Sequence, residues 1–260
     1  MQITLAGQGE ALLLLHGFPD SAKLWRKMIP GLVDAGFQVI APDQRGFGET
    51  TAPAKVADYS IDRIAVDAIA LLDTLGIERA GLVGHDWGAV IGWRLAADHP
   101  ERFSGFVALS VGHPKATLRA GFRQKLKSWY FLLFLLRGIG EAVVRAADFK
   151  ALGWMTRQDP EMVNWRRDLS RPGRLTAGMN WYRANIAALS KADFPPARIP
   201  VLGLIGSADV ALGTEQMRDS ADYADVSFRC EVIEGAGHWL PLSAAAAIEP
   251  KIVGFLKSVR

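Results

Sequence analysis

The chain has 260 residues, half of them apolar, with 30 basic and 27 acidic side chains for a formal charge of +3. That length suits one sizeable α/β domain with a modest insertion, and that apolar share excludes intrinsic disorder. The small charge, without a run of five like charges, excludes a nucleic-acid footprint, and the single Cys230 excludes an internal disulfide.

At the N-terminus, "MQITLAGQGE" has no basic stretch and no long apolar core, so no secretory signal is expected and the cytoplasm is the default location. "ALLLLHG" (11 to 17) and "FQVIAPD" (37 to 43) read as buried strands that end in loops. In "SIDRIAVDAIALLDTLG" (60 to 76), Ile61, Ile64, Ala65, Ala68, Leu72 and Leu75 share one helical face, with Ser60 as N-cap and Gly76 as stop. A strand at 80 to 84, a helix from 88 and a strand at 103 to 110 follow. This alternation predicts a parallel sheet with helices on both faces.

From 114 to 198 the pattern turns helical, rich in Trp and Arg, with no convincing strand, and it ends in "DFPPARIP". Its most apolar run, "WYFLLFLL" (129 to 136), is too short to span a bilayer. That face could cover a pocket or a second copy of the chain, which leaves a homodimer open. Strands return at 201 to 206 and 227 to 235, the latter with Cys230 as an inert buried thiol, and "SAAAAIEPKIVGFLKSV" closes as a helix. The expected organisation is a core of residues 1–113 and 199–260, interrupted by a helical cap of residues 114–198.

Gly84-His85-Asp86-Trp87-Gly88 lies between a strand and a helix with the spacing of a nucleophile elbow. The flanking glycines permit a sharp turn that holds the central side chain above the sheet; the competing reading is an ordinary turn with a helix-capping aspartate. Two further residues fall in the chain order nucleophile, acid, histidine. Asp209 ends the strand at 201 to 206, and His238 lies in the glycine-rich loop "GAGHW". Asp222 and Asp225 are weaker candidates for the acid because neither ends a strand. In "HGFPD" (16 to 20), Gly17 allows the Phe18 N–H to face the site, where it joins the Trp87 N–H as an oxyanion hole. His16, His85, His99 and His113 are read as structural. No Cys/His cluster has metal spacing, and no strand leads into G-x-G-x-x-G, so neither a metal nor a cofactor is expected.

A carboxylate is ionised at neutral pH without a helper base, so Asp86 can attack an sp³ carbon and form an alkyl ester. His238, oriented by Asp209, would then activate the water that cleaves that ester.

Taken together, "HGFP", "DQRGFGET", "GHDWGA", "GSAD" and "GAGHW" resemble the successive motifs of the α/β-hydrolase superfamily. The aspartate elbow resembles the branch of epoxide hydrolases and haloalkane dehalogenases. The resemblance runs from about residue 10 to the end and implies an α/β-hydrolase fold, a mostly parallel sheet flanked by helices with a helical cap. It also implies that the first strand or two of the usual sheet is missing or reduced. Within "NWYRAN" (180 to 185), Tyr182 matches one ring-opening tyrosine of the epoxide hydrolase family. In "SWYFLLFLLRGIGE" (128 to 141), Tyr130 matches the second, although Leu135, Leu136 and Arg137 replace the usual polar residue and proline. The implied activity is hydrolysis of a small apolar epoxide to a vicinal diol, with water as co-substrate and detoxification among the roles it suits. The alternative is a haloalkane dehalogenase using the same Asp-His-Asp set, with halide held by Trp87 and by Trp129, Trp154, Trp165 or Trp181. A non-catalytic receptor of the same fold ranks third, because every catalytic position is filled.

Overall fold

The computed structural model describes residues 1–191 and 194–259. Seven strands form one sheet: β1 (Ile3–Ala6), β2 (Glu10–Leu15), β3 (Phe37–Pro42), β4 (Ala80–His85), β5 (Phe103–Leu109), β6 (Val201–Gly206) and β7 (Phe228–Ile233). Their order is β1-β3-β2-β4-β5-β6-β7, and every neighbouring pair is parallel except β1 with β3. The central strands are apolar runs because both their faces are covered: Leu12 to Leu15, Leu82, Val83 and Phe106 to Leu109 are buried.

β1 is not legible in the sequence. It has four residues, its Leu5 is half exposed, and it reads as a strand only through its pairing of Ile3 with Pro42 and Ala6 with Val39. At the opposite edge β7 is only partly covered, so Cys230 is half-buried rather than buried as expected, and burial still pushes its thiol pKa up.

Chain direction places the site. β3 lies on one side of β2 and β4 on the other, so the loops after β2 and β4 diverge at the sheet's carboxyl edge. Such a switch point leaves a crevice in which α/β proteins bind ligands. The expected helix forms over Ile61–Thr74, with Ser60 Oγ accepting from Arg63 N at 3.4 Å and Gly76 at φ +67° beyond its end.

Between β5 and β6 the described residues from Pro114 to Lys191 form helices and no strand. Ile139–Met155 is broken at Ala146 to Phe149, where three residues have positive φ. Several contacts hold this segment over the carboxyl edge. Trp165 Nε1 donates to Asp20 Oδ1 at 3.0 Å and Trp181 Nε1 to Arg45 O at 3.0 Å. Arg26 pairs with Glu161 at 2.6 Å and Arg171 with Glu49 at 2.7 Å. Asn185 accepts from Ile61 N at 2.8 Å and donates to Tyr59 O at 2.9 Å. Among the described residues no helix is long and apolar enough to cross a membrane.

Candidate active site

β4 ends at His85, and the helix Trp87–Asp98 starts two residues later. Asp86 between them takes φ +53° and ψ −122°, a conformation that costs a non-glycine residue about 1–3 kcal/mol. Close packing enforces it: a Cβ on Gly88 would collide with the Leu15 carbonyl, and one on Gly17 with the Asp86 carboxylate. Because Gly17 has none, Phe18 N reaches Asp86 Oδ1 at 2.8 Å. The Trp87 amide also bonds the Asp86 carboxylate. The two amides expected to form an oxyanion hole therefore converge on Asp86.

His238 Nε2 lies 3.6 Å from Asp86 Oδ2, and His238 Nδ1 lies 2.8 Å from Asp209 Oδ2. Asp209 Oδ1 accepts from Ala211 N at 2.8 Å and Leu212 N at 2.9 Å, so its buried carboxylate has partners on both oxygens. Asp222 and Asp225 are exposed and take no part.

Burial acts most strongly on both Asp86 and His238, and in each case it opposes the charged form. Their mutual attraction reverses this. His238 and the Trp87 amide hold the Asp86 carboxyl below its usual pKa. Asp209 and Asp86 push His238 up to about 10, so the resting imidazole carries a proton between two carboxylates.

Tyr182, on the helix Arg174–Lys191, is buried with ring centroids 5.0 Å from Trp87 and 4.9 Å from Phe134. Tyr130 opens the helix Tyr130–Leu135, 6.1 Å away ring to ring, and the two hydroxyls interact. Burial, with Asp86 nearby, raises both phenols far above their usual range and keeps them protonated. Asp86, Tyr130 and Tyr182 line one cavity of about 260 Å³ whose walls are otherwise largely apolar. The departure at Leu135, Leu136 and Arg137 leaves Tyr130 facing that cavity.

The other histidines separate by job. His16 accepts from Gln44 N through Nε2 and bonds Gly17 O through Nδ1, both at 3.0 Å, which fixes the loop that carries Phe18. Burial lowers its pKa and keeps it neutral. His113 accepts from Lys115 N and stacks on Tyr223 at 4.5 Å, and His99 is half-buried 3.6 Å from Glu101. His85 is structural in a sense nearer the site, since its Nε2 lies 3.0 Å from the His238 carbonyl.

Of the tryptophans considered as halide donors, Trp165 and Trp181 spend their indole N–H groups on Asp20 and Arg45, while Trp129 and Trp154 are exposed. The Trp87 side chain bonds Tyr182.

Sequence reasoning missed the residues that act through backbone atoms. Ser110, at φ +69°, donates to the His238 carbonyl at 2.7 Å. Lys127 donates to Asp209 O at 2.7 Å and Leu212 O at 2.9 Å. Asp43, quoted above only within its motif, accepts from Ala22 N and Glu49 N at 2.9 Å each and joins the loops after β2 and β3.

Comparison with known proteins places the chain in a family. A family described as alpha/beta hydrolase fold matches residues 10–245. The AB hydrolase superfamily protein YfhM of Bacillus subtilis is 33% identical over 99% of this chain and 94% of its own length. Epoxide hydrolase A of Mycobacterium tuberculosis is 30% identical over 98% of this chain and 94% of its own. The crystal structure of epoxide hydrolase A from Mycobacterium thermoresistibile superposes with a TM-score of 0.85 at 28% identity, covering 99% of this chain and 95% of that one. The chain belongs to the α/β-hydrolase family, in its epoxide hydrolase branch.

Proposed function

We propose that this enzyme hydrolyses epoxides to vicinal diols through an alkyl ester on Asp86. The observation that carries the reading is the meeting of one ionised carboxylate and two protonated phenols on one apolar cavity. Asp86 Oδ1 is engaged by the Phe18 amide, which leaves Oδ2 as the attacking atom. Oδ2 bonds to one epoxide carbon while that carbon's bond to the ring oxygen breaks. The oxygen takes a proton from the Tyr130–Tyr182 pair; general-acid help of this kind is worth about 10²–10⁴ in rate. Residues 114–198 serve as the cap that brings these phenols over the core formed by 1–113 and 199–260.

Esterification removes the charge on Asp86, one of the two carboxylates that keep His238 protonated. Its pKa then falls, and the proton it releases restores the Tyr130–Tyr182 pair, replacing the one consumed at the ring oxygen. Neutral His238, still oriented by Asp209, removes a proton from water as the water attacks the ester carbonyl. The Phe18 and Trp87 amides stabilise the oxyanion; its collapse expels the alkoxide, which takes the proton of the new Asp86 carboxylic acid to give the diol, ionised Asp86 and protonated His238. A departing halide needs spare N–H donors instead, and the cap tryptophans offer none at Asp86.

The test is a parallel assay of an aryl epoxide and a bromoalkane. Diol without bromide is expected; bromide without diol overturns the reading. One turnover in ¹⁸O-labelled water should place label in the Asp86 carboxyl, and an unlabelled Asp86 rules out the ester.

A further inference from the structure

Asp86, Tyr130 and Tyr182 border a second, smaller cavity of about 50 Å³ in addition to the large one of about 260 Å³. The reacting groups thus stand at a junction between two unequal lobes. Val90, Leu118, Phe131, Ile186, Leu189 and Leu212 line the large lobe, where Leu118 and Ile186 are 46% and 36% exposed, so this side opens to solvent. Phe18, Phe134, Leu152, Thr156, His238 and Trp239 line the small lobe and are buried, and half-buried Met155, Val210 and Ala211 complete its wall, so it is narrow rather than closed off. His238 borders the small lobe and not the large one.

From this geometry we infer that the substrates are epoxides with one bulky apolar substituent whose second carbon carries hydrogen or at most a methyl group. The inference rests on the epoxide reading of the site and deepens it. Asp86 and the two phenols must grip the ring at the junction, so substituents on its two carbons diverge into different lobes. An apolar protein cavity of about 150 Å³ takes up benzene, whereas one water needs about 10–15 Å³. The large lobe exceeds the first requirement, and its open side leaves room for longer chains. The small lobe falls to a third of it, enough for a methyl group together with a water and too little for a ring. His238 must also meet its water there, so a large group in the small lobe blocks ester hydrolysis as well as binding.

The experiment measures kcat/KM for styrene oxide, trans-β-methylstyrene oxide and trans-stilbene oxide. The first two should agree within about tenfold, and stilbene oxide should fall about 100-fold or more below them, the scale on which pockets discriminate by size. Leu152→Ala, checked for cooperative melting, should narrow the stilbene oxide gap at least about tenfold by widening the small lobe. Stilbene oxide within tenfold of styrene oxide, or rejection of the methyl compound along with the phenyl one, overturns the size rule. An unchanged gap in folded Leu152→Ala overturns the assignment of the small lobe. If none of the three yields diol, the epoxide reading fails and this inference with it, an outcome distinct from turnover without size selection.

Discussion

His238 stands between two carboxylates, and in the proposed mechanism the two contacts have different fates. Its link to Asp209 at 2.8 Å persists through the cycle, while its 3.6 Å approach to Asp86 carries charge only until Asp86 is alkylated. Replacing the imidazole by an amide therefore separates the two half-reactions. His238→Gln should still form the ester, because the Phe18 and Trp87 amides and both phenols remain, and should hydrolyse it about 10²–10⁴ times more slowly. Intact-mass spectrometry after mixing with a turned-over epoxide should find protein heavier by one substrate, and Asp86→Ala should carry no adduct. Absence of the adduct in His238→Gln contradicts covalent catalysis with a separate base. Asp86, Asp209 and His238 were legible in the sequence because each needs one residue type at one strand end. Ser110 and Lys127 were not, because they hold the backbone carbonyls of His238 and Asp209, a task that leaves no residue-type signature.

Segments that fill their own surroundings were legible, and segments defined by distant partners were not. β2 to β6 announce themselves as apolar runs because helices or loops cover both faces, and the helix Ile61–Thr74 shows its buried stripe and its Ser60 cap. β1 lacks such a run, and the break at Ala146 to Phe149 carries neither glycine nor proline to announce it. The seat of the inserted helices was also hidden, since its bonds join residues more than a hundred positions apart. Asn185 is the clearest case. Buried in the helix Arg174–Lys191, it accepts from Ile61 N and donates to Tyr59 O and Trp181 O, so one amide caps the helix Ile61–Thr74 from the insert. Asn185→Leu is close in size but strands the Ile61 N–H and the Tyr59 carbonyl, at roughly 1–3 kcal/mol for each buried group left unpaired. Urea unfolding should show a lower midpoint with an unchanged slope, a loss of about 2–6 kcal/mol. A loss below about 0.5 kcal/mol would mean that water replaces these bonds and that Asn185 does not anchor the insert.

Over the whole molecule, buried titratable groups set opposing pH limits on stability. His16, His85 and His113 are held neutral chiefly by burial, the last two with pKa values near 4. Unfolding at mildly acidic pH lets them take up protons, so their contribution is complete above about pH 6.5 and is lost as pH falls toward 4. Glu141, paired with Arg183 through two bonds of 2.7 and 2.9 Å, is held near 2 against the opposing effect of burial, and its contribution fades only below about 4.5. Other groups act in the opposite direction, Asp20 and His238 foremost. Asp20 is buried, one of its oxygens has no partner, and burial pushes its carboxyl up to about 8 despite the Trp165 bond. Its contribution is complete below about 3.8 and is lost as pH rises through 8. His238, raised to about 10, contributes fully below 6.5 and loses that contribution as pH climbs to 10. As pH rises from 4 to 6.5 three histidines gain stability while Asp20 and Asp159, whose carboxyl burial also raises, lose it, and above 6.5 Asp20 and His238 both lose it with nothing to offset them. The melting temperature should therefore peak near pH 6.5 and decline on either side. Asp20→Asn, which keeps a neutral side chain at every pH, should flatten the alkaline decline by several degrees between pH 5 and 8.5, since each kcal/mol is worth about 2–4 °C in a chain of this size. Differential scanning calorimetry of both proteins from pH 4 to 10 decides the matter. A wild-type melting temperature still rising at pH 8.5, or an Asp20→Asn profile parallel to wild type, would show that Asp20 is ionised in the folded protein.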